Sequence, residues 1–181
     1  PADTDEFLVS DAGTLKRIDY SLIKGGGITE ADQWRLSANL STSGAFLTSN
    51  LERNDLSSTY IGTGMSESSG IFTFPATGMY LLMCKLRFYA DADIQYNNFT
   101  IRTTNDNFSS NDVESAEASA SWGTHYSSTN LENMSLDYVF DCENTSTHKF
   151  KMRYSSTGTV TVAGSSSSNN TYVTVVRLGD T

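Results

Sequence analysis

Two histidines, two cysteines and a few acid pairs are the residues in this 181-residue chain with the most chemistry to offer. Hydrolysis by a nucleophile needs a base beside it and a group that orients the base. Serine and threonine abound, but His125 lies in Gly123-Thr-His-Tyr126 and His148 in a turn beside Lys149, and no Gly-x-Ser-x-Gly elbow occurs. Both histidines read as surface residues. Glycoside chemistry needs two facing carboxylates. Asp91/Asp93 and Glu114/Glu117 are the candidate pairs, in acid-rich segments that read as solvated loops. Asp91-Ala-Asp93 has a second use, since oxygen ligands two residues apart, with Gln95 and Asn97 close by, suit a calcium ion. Cys84 and Cys142 match no zinc spacing and sit inside apolar runs, as small core residues do. Trp122, His125 and Tyr126 are the one aromatic cluster in a long polar stretch. Rings exposed among serines and asparagines hold sugars or a partner surface; packing of Trp122 in the core is the competing reading. The balance is that of a non-enzyme with no cofactor beyond a candidate calcium.

The elements that must position these residues are strands. Ser, Thr and Asn number 26, 22 and 13, a third of the chain, while charged residues are only 18%. Hydroxyls and amides compete with a helical backbone for its hydrogen bonds, so this mixture favours sheets and polar loops. Twelve basic against 21 acidic residues give a net charge of −9, which argues against nucleic acid and anionic membrane as partners. No apolar run approaches the ~20 residues of a membrane-spanning helix. Six Asn-x-Ser/Thr sequons, at Asn39, Asn98, Asn107, Asn133, Asn144 and Asn169, are few enough for chance in so hydroxyl-rich a chain.

Residues 1–30 read as a separate connector, with Phe7-Leu8-Val9 and Leu15 to Tyr20 as short strands around an Ala12-Gly13 turn. Gly25-Gly26-Gly27 is a hinge. A two-stranded piece is barely stable by itself, so it is expected to pair with copies of itself or with another protein. Thr29 and Asp32 offer a weak capping box, and residues 31–181 form the main domain, beginning at Trp34-Arg35-Leu36. Strands follow at Ile71–Phe74, Met79–Tyr89, Asn98–Thr104, Leu136–Cys142, Phe150–Tyr154, Val160–Val162 and Tyr172–Leu178. Residues 105–130 read as a long loop region and 164–170 as a flexible loop. The sum is an all-β sandwich of about 8–10 antiparallel strands.

The last strand and the first half of the Met79 strand are apolar on both faces. An antiparallel sheet offers its core only one face, so Met79, Leu81, Tyr172, Val173, Val175 and Val176 call for a second cover. Another copy of the chain is the simplest one, and burial beneath the long loops is the competing reading.

Gly70-Ile-Phe-Thr-Phe-Pro-Ala-Thr-Gly-Met-Tyr80 resembles the central signature of complement-head and tumour-necrosis-factor-like jelly rolls, matching at Gly70, Phe72, Pro75, Gly78 and Tyr80. The resemblance spans about residues 34–178. It implies a jelly roll and a homotrimer whose first and last strands, with Trp34, lie near the threefold axis. It also brings an occasional calcium site near the apex. Asp5 to Tyr20, Ile28 to Leu36 and Ser49 to Arg53 resemble connector and lead-in segments of tail-fibre and other virion proteins of tailed, particularly marine, bacteriophages. The combined expectation is a non-enzymatic virion protein of tail-fibre or spike type. It would attach to a host-surface glycan or protein through loops 89–97, 105–130 and 163–171, and reach other virion proteins through the N-terminal arm. A capsid or tail decoration module without a receptor is the alternative, and a glycan-cleaving sandwich enzyme the next.

Overall fold

The computed structural model describes residues 2, 4–20, 27–56, 60–90, 94–120 and 131–181. The N-terminal piece is a hairpin of β1 (Glu6–Asp11) and β2 (Thr14–Asp19), a two-stranded sheet of its own. Ala12 and Gly13 both take positive φ (49° and 85°), the two-residue turn whose twist suits a hairpin. Leu8 and Leu15 remain 71% and 72% exposed.

Eleven further strands build the main body: β3 (Ala31–Leu36), β4 (Leu40–Phe46), β5 (Leu51–Arg53), β6 (Ser66–Ser68), β7 (Ile71–Thr73), β8 (Gly78–Tyr89), β9 (Asn97–Thr104), β10 (Val113–Ala120), β11 (Glu132–Cys142), β12 (Lys149–Val162) and β13 (Tyr172–Gly179). All pairings are antiparallel. One layer runs β5–β3–β13–β8–β11. The other runs from β4 and β7, side by side along β12, through β12 and β9 to β10, with β6 outside β7. Successive strands mostly change layer, which is a jelly-roll path. The layers join where Thr161 and Val162 of β12 pair with Tyr89 and Phe88 of β8. That reach follows an irregularity in the β12–β4 register between Ser155 and Val160, because a bulge bends and twists its strand.

Alternation in β8 places the core. Tyr80, Leu82, Cys84, Leu86 and Phe88 are buried, while Met79, Leu81, Met83, Lys85, Arg87 and Tyr89 are half-exposed. Inside, Phe72 stacks on Phe150 at 4.7 Å and Phe74 on Phe140 at 5.2 Å. Cys84 Sγ lies 3.8 Å from Met152 Sδ of the facing layer. Both cysteines are unbridged and buried, and burial pushes both thiols up, that of Cys142 to about 11.

The signature stretch owes its residue types to this packing. Gly70 has φ +83°, and a Cβ there would sit 2.3 Å from the Leu47 carbonyl oxygen. Gly78 has φ +140° and backs onto the Gly179 carbonyl. Phe72 and Tyr80 are wholly buried, and the Tyr80 hydroxyl donates to the Ala76 carbonyl at 2.9 Å.

Several expectations change. Thr29 and Asp32 cap no helix: Ala31–Leu36 is a strand, and Asp32 is buried. The two short strands expected at 150–154 and 160–162 are one, β12. Part of the expected 105–130 loop, whose residues 121–130 lie outside the described residues, is a strand, since Val113–Ala120 forms β10. Its Ala116, Ala118 and Ala120 pack against the core rim while Glu114 and Glu117 stay exposed. Charged side chains on a strand that ends a sheet discourage further pairing, and they also hide it from a reading of apolar alternation. The 164–170 segment is tied down: Ser165 N donates to Leu36 O at 2.8 Å, and the Ser166 carbonyl accepts from Arg35 at 2.7 Å.

Candidate functional site

The face of the β5–β3–β13–β8–β11 layer turned away from the core is the most unusual surface of the sandwich. Its centre carries Met79, Leu81 and Met83 from β8, each half-exposed, beside Tyr172 and Val176 of β13. Register sets Val176 opposite Leu81 and Tyr172 opposite Lys85. On the other side Val139 of β11 stands opposite Leu81, 48% exposed. Leu178 and Ile28, at 57% and 55%, extend the patch to the end of the sheet, where a cavity of about 350 Å³ lies between Gly27, Ile28 and Val176–Leu178.

Of the residues that sequence placed at an interface, Met79, Leu81, Tyr172 and Val176 lie on this face. Val173 and Val175 point inward, at 0% and 2% exposure, and belong to the protomer's own core. Trp34 also turns inward: it packs edge-on against Phe72 at 5.7 Å and donates Nε1–H to Asp32 Oδ2 at 2.9 Å. Period-two alternation separates the two sets, so the signal was present; an apolar run on both faces blurred it.

Two buried charges brace this layer. The Asp32 carboxylate accepts from Trp34 Nε1, Met65 N and Arg53 Nε. Arg35, 1% exposed, donates to Glu52, Asn54, Asp55 and the Ser166 carbonyl. A buried guanidinium without those acceptors would be costly, so Arg35 clamps both neighbouring loops to the sheet edge.

A second feature is a cleft of about 260 Å³ at the open edge between the layers, bounded by β9, β10, β11 and the turn before β12. Tyr138 and Phe140 line it, with His148, whose side chain is 14% exposed and whose ring lies 6.0 Å from that of Phe140. His148 is thus largely covered, contrary to the surface position expected for it.

Trp122, His125 and Tyr126, and the calcium candidates Asp91 and Asp93, lie outside the described residues. Among the described residues, no group of three or more His, Cys, Asp or Glu is placed to hold a metal. Glu114 pairs with Arg102 at 3.0 Å and Glu117 accepts from Asn98 at 2.6 Å, so both serve the strand edge.

No protein-family model matches the chain, and no curated protein matches it. Solved structures do. The Eiger TNF of S. frugiperda superimposes with a TM-score of 0.67 at 10% identity, covering 86% of this chain and 96% of that one. Murine APRIL gives 0.60 at 12%, covering 82% and 98%. The chain has the tumour-necrosis-factor-like jelly-roll fold.

Proposed function

We propose that this chain is a non-enzymatic binding domain that works as a homotrimer on a bacteriophage virion, of tail-fibre or spike type, and attaches the particle to a host-surface glycan or protein. The observation that carries the reading is the outward apolar face of Met79, Leu81, Met83, Val139 and Val176. Contiguous apolar surface at the centre of a sheet marks an interface, and cyclic self-association covers it with a second copy. The fold likeness to Eiger TNF and APRIL supports a domain of this kind. The virion assignment rests on the resemblance of residues 5–20, 28–36 and 49–53 to phage connectors. In this reading residues 1–30 join the trimer to other virion proteins and 31–181 carry the binding work. Three equivalent weak sites on one rigid body gain avidity without any new contact. Trp122, His125 and Tyr126 stay candidates for ligand contact, and Asp91 and Asp93 for calcium.

The test is binding of the fluorescently labelled domain to cells or envelopes of candidate hosts. Saturable binding that weakens sharply for an obligate monomer supports attachment. A trimer that binds no envelope, yet is found on purified particles, favours the decoration module instead.

A further inference from the structure

We infer that the cleft between β9, β10 and β11 is a site for one neutral sugar ring, which deepens the attachment reading and rests on it for its biological use. The cleft's volume, about 260 Å³, is just under the roughly 300–1,000 Å³ of pockets for drug-sized ligands, the scale of a single ring. Its walls differ in chemistry. On one side the rings of Tyr138 and Phe140 lie 6.4 Å apart, with the His148 imidazole beyond. Tyr138, half-buried, offers its ring to the C–H face of a pyranose, while Phe140, 7% exposed and stacked on Phe74, closes the floor. On the other side stand Asn111, Ser115 and Thr103, the last two joined by their hydroxyls at 2.6 Å.

The polar groups have capacity left for hydroxyls. Among the described residues, nothing hydrogen-bonds the hydroxyl of half-buried Tyr138. Asn111 donates its Nδ2 to Asn105 Oδ1 at 2.5 Å, which leaves its side-chain carbonyl free to accept. The loop bearing Asn111 is held before any ligand arrives. The Asp106 carboxylate accepts from the backbone N–H groups of Ser109, Ser110 and Asn111 and from the Thr104 hydroxyl. Such preorganisation lowers the entropic cost of binding. Charge fixes the class: no Lys or Arg lines the cleft to receive an anion. Phosphorylated, sulfated and carboxylated sugars are therefore excluded, and neutral ones fit.

The test uses the full chain and a panel of methyl glycosides of neutral hexoses and N-acetylhexosamines, with a sialoside as the anionic control, read by saturation-transfer NMR. The expected result is binding of at least one neutral glycoside, with a dissociation constant on the order of 1 mM, and none of the sialoside. Tyr138→Phe, which removes a hydroxyl without a partner among the described residues, and Asn111→Ala should each weaken it about tenfold. No neutral glycoside bound, a preference for the sialoside, or unchanged binding in both variants overturns the site. Envelope binding that survives both variants also removes the cleft while attachment stands. Glycoside binding without envelope binding keeps the cleft and removes attachment.

Discussion

Leu81 and Leu82 are neighbours in the chain and occupy opposite sides of one sheet. Leu82 is fully buried, so Leu82→Ala should cost about 2–5 kcal/mol through lost burial and an unfilled cavity. At roughly 2–4 °C per kcal/mol for a chain of this size, calorimetry should find the melting point at least several degrees lower. Leu81→Asp should leave the protomer's own melting nearly unchanged and prevent association, which size-exclusion chromatography reads directly. Titration gives an independent check. Burial raises Cys142 to about 11 and Tyr154 to about 12, with Cys84 moved the same way. These groups hold protons in the folded state that the unfolded chain gives up, so more protons are bound when folded and stability falls as pH rises. The stabilisation is complete below the ordinary thiol range, about pH 8.5, and is lost as pH climbs through about 11 for Cys142 and about 12 for Tyr154. Melting points should therefore be level between about pH 6 and 8 and fall beyond. The same burial keeps both thiols unreactive, so a thiol reagent at pH 8 should label them only when the protein unfolds.

At the scale of elements, the turn between β6 and β7 shows how much one residue type can decide. Gly70 combines φ +83° with a carbonyl oxygen where a Cβ would stand. Gly70→Ala should therefore destabilise by about 1–3 kcal/mol, seen as a lower urea midpoint at constant slope. Elements of this sort were legible beforehand. β8, β9 and β11 announced themselves by alternation, β13 by its run of β-branched residues, and the Pro75–Gly78 turn by its residue types. β10 did not, because Ala and Ser at its half-buried positions carry little hydrophobic signal and its glutamates resemble loop. β12 looked like two strands because its bulge falls in Ser155-Ser-Thr-Gly158. The cleft was less legible still: Asn111, Tyr138 and His148 come from three separate segments, and only the antiparallel closure of the sandwich brings them together. The aromatic cluster at 122–126 drew attention by composition, whereas Tyr138 and Phe140 hid inside an ordinary strand pattern.

For the whole molecule, the account depends on a sandwich complete in its core yet unfinished on one face. The inward residues Val173 and Val175 close the protomer, and the outward Met79, Leu81 and Val176 leave it incomplete. A net charge of −9 discourages non-specific adhesion, to nucleic acid above all, and in the proposed trimer that face supplies the association. The deciding measurement is the mass of the purified chain by multi-angle light scattering over a range of concentrations, with Leu81→Asp beside it. The account predicts a species near 59 kDa, three times the 19.8 kDa protomer, that falls to protomer mass in the variant with unchanged circular dichroism. A wild-type chain that stays at 19.8 kDa at every concentration would contradict it.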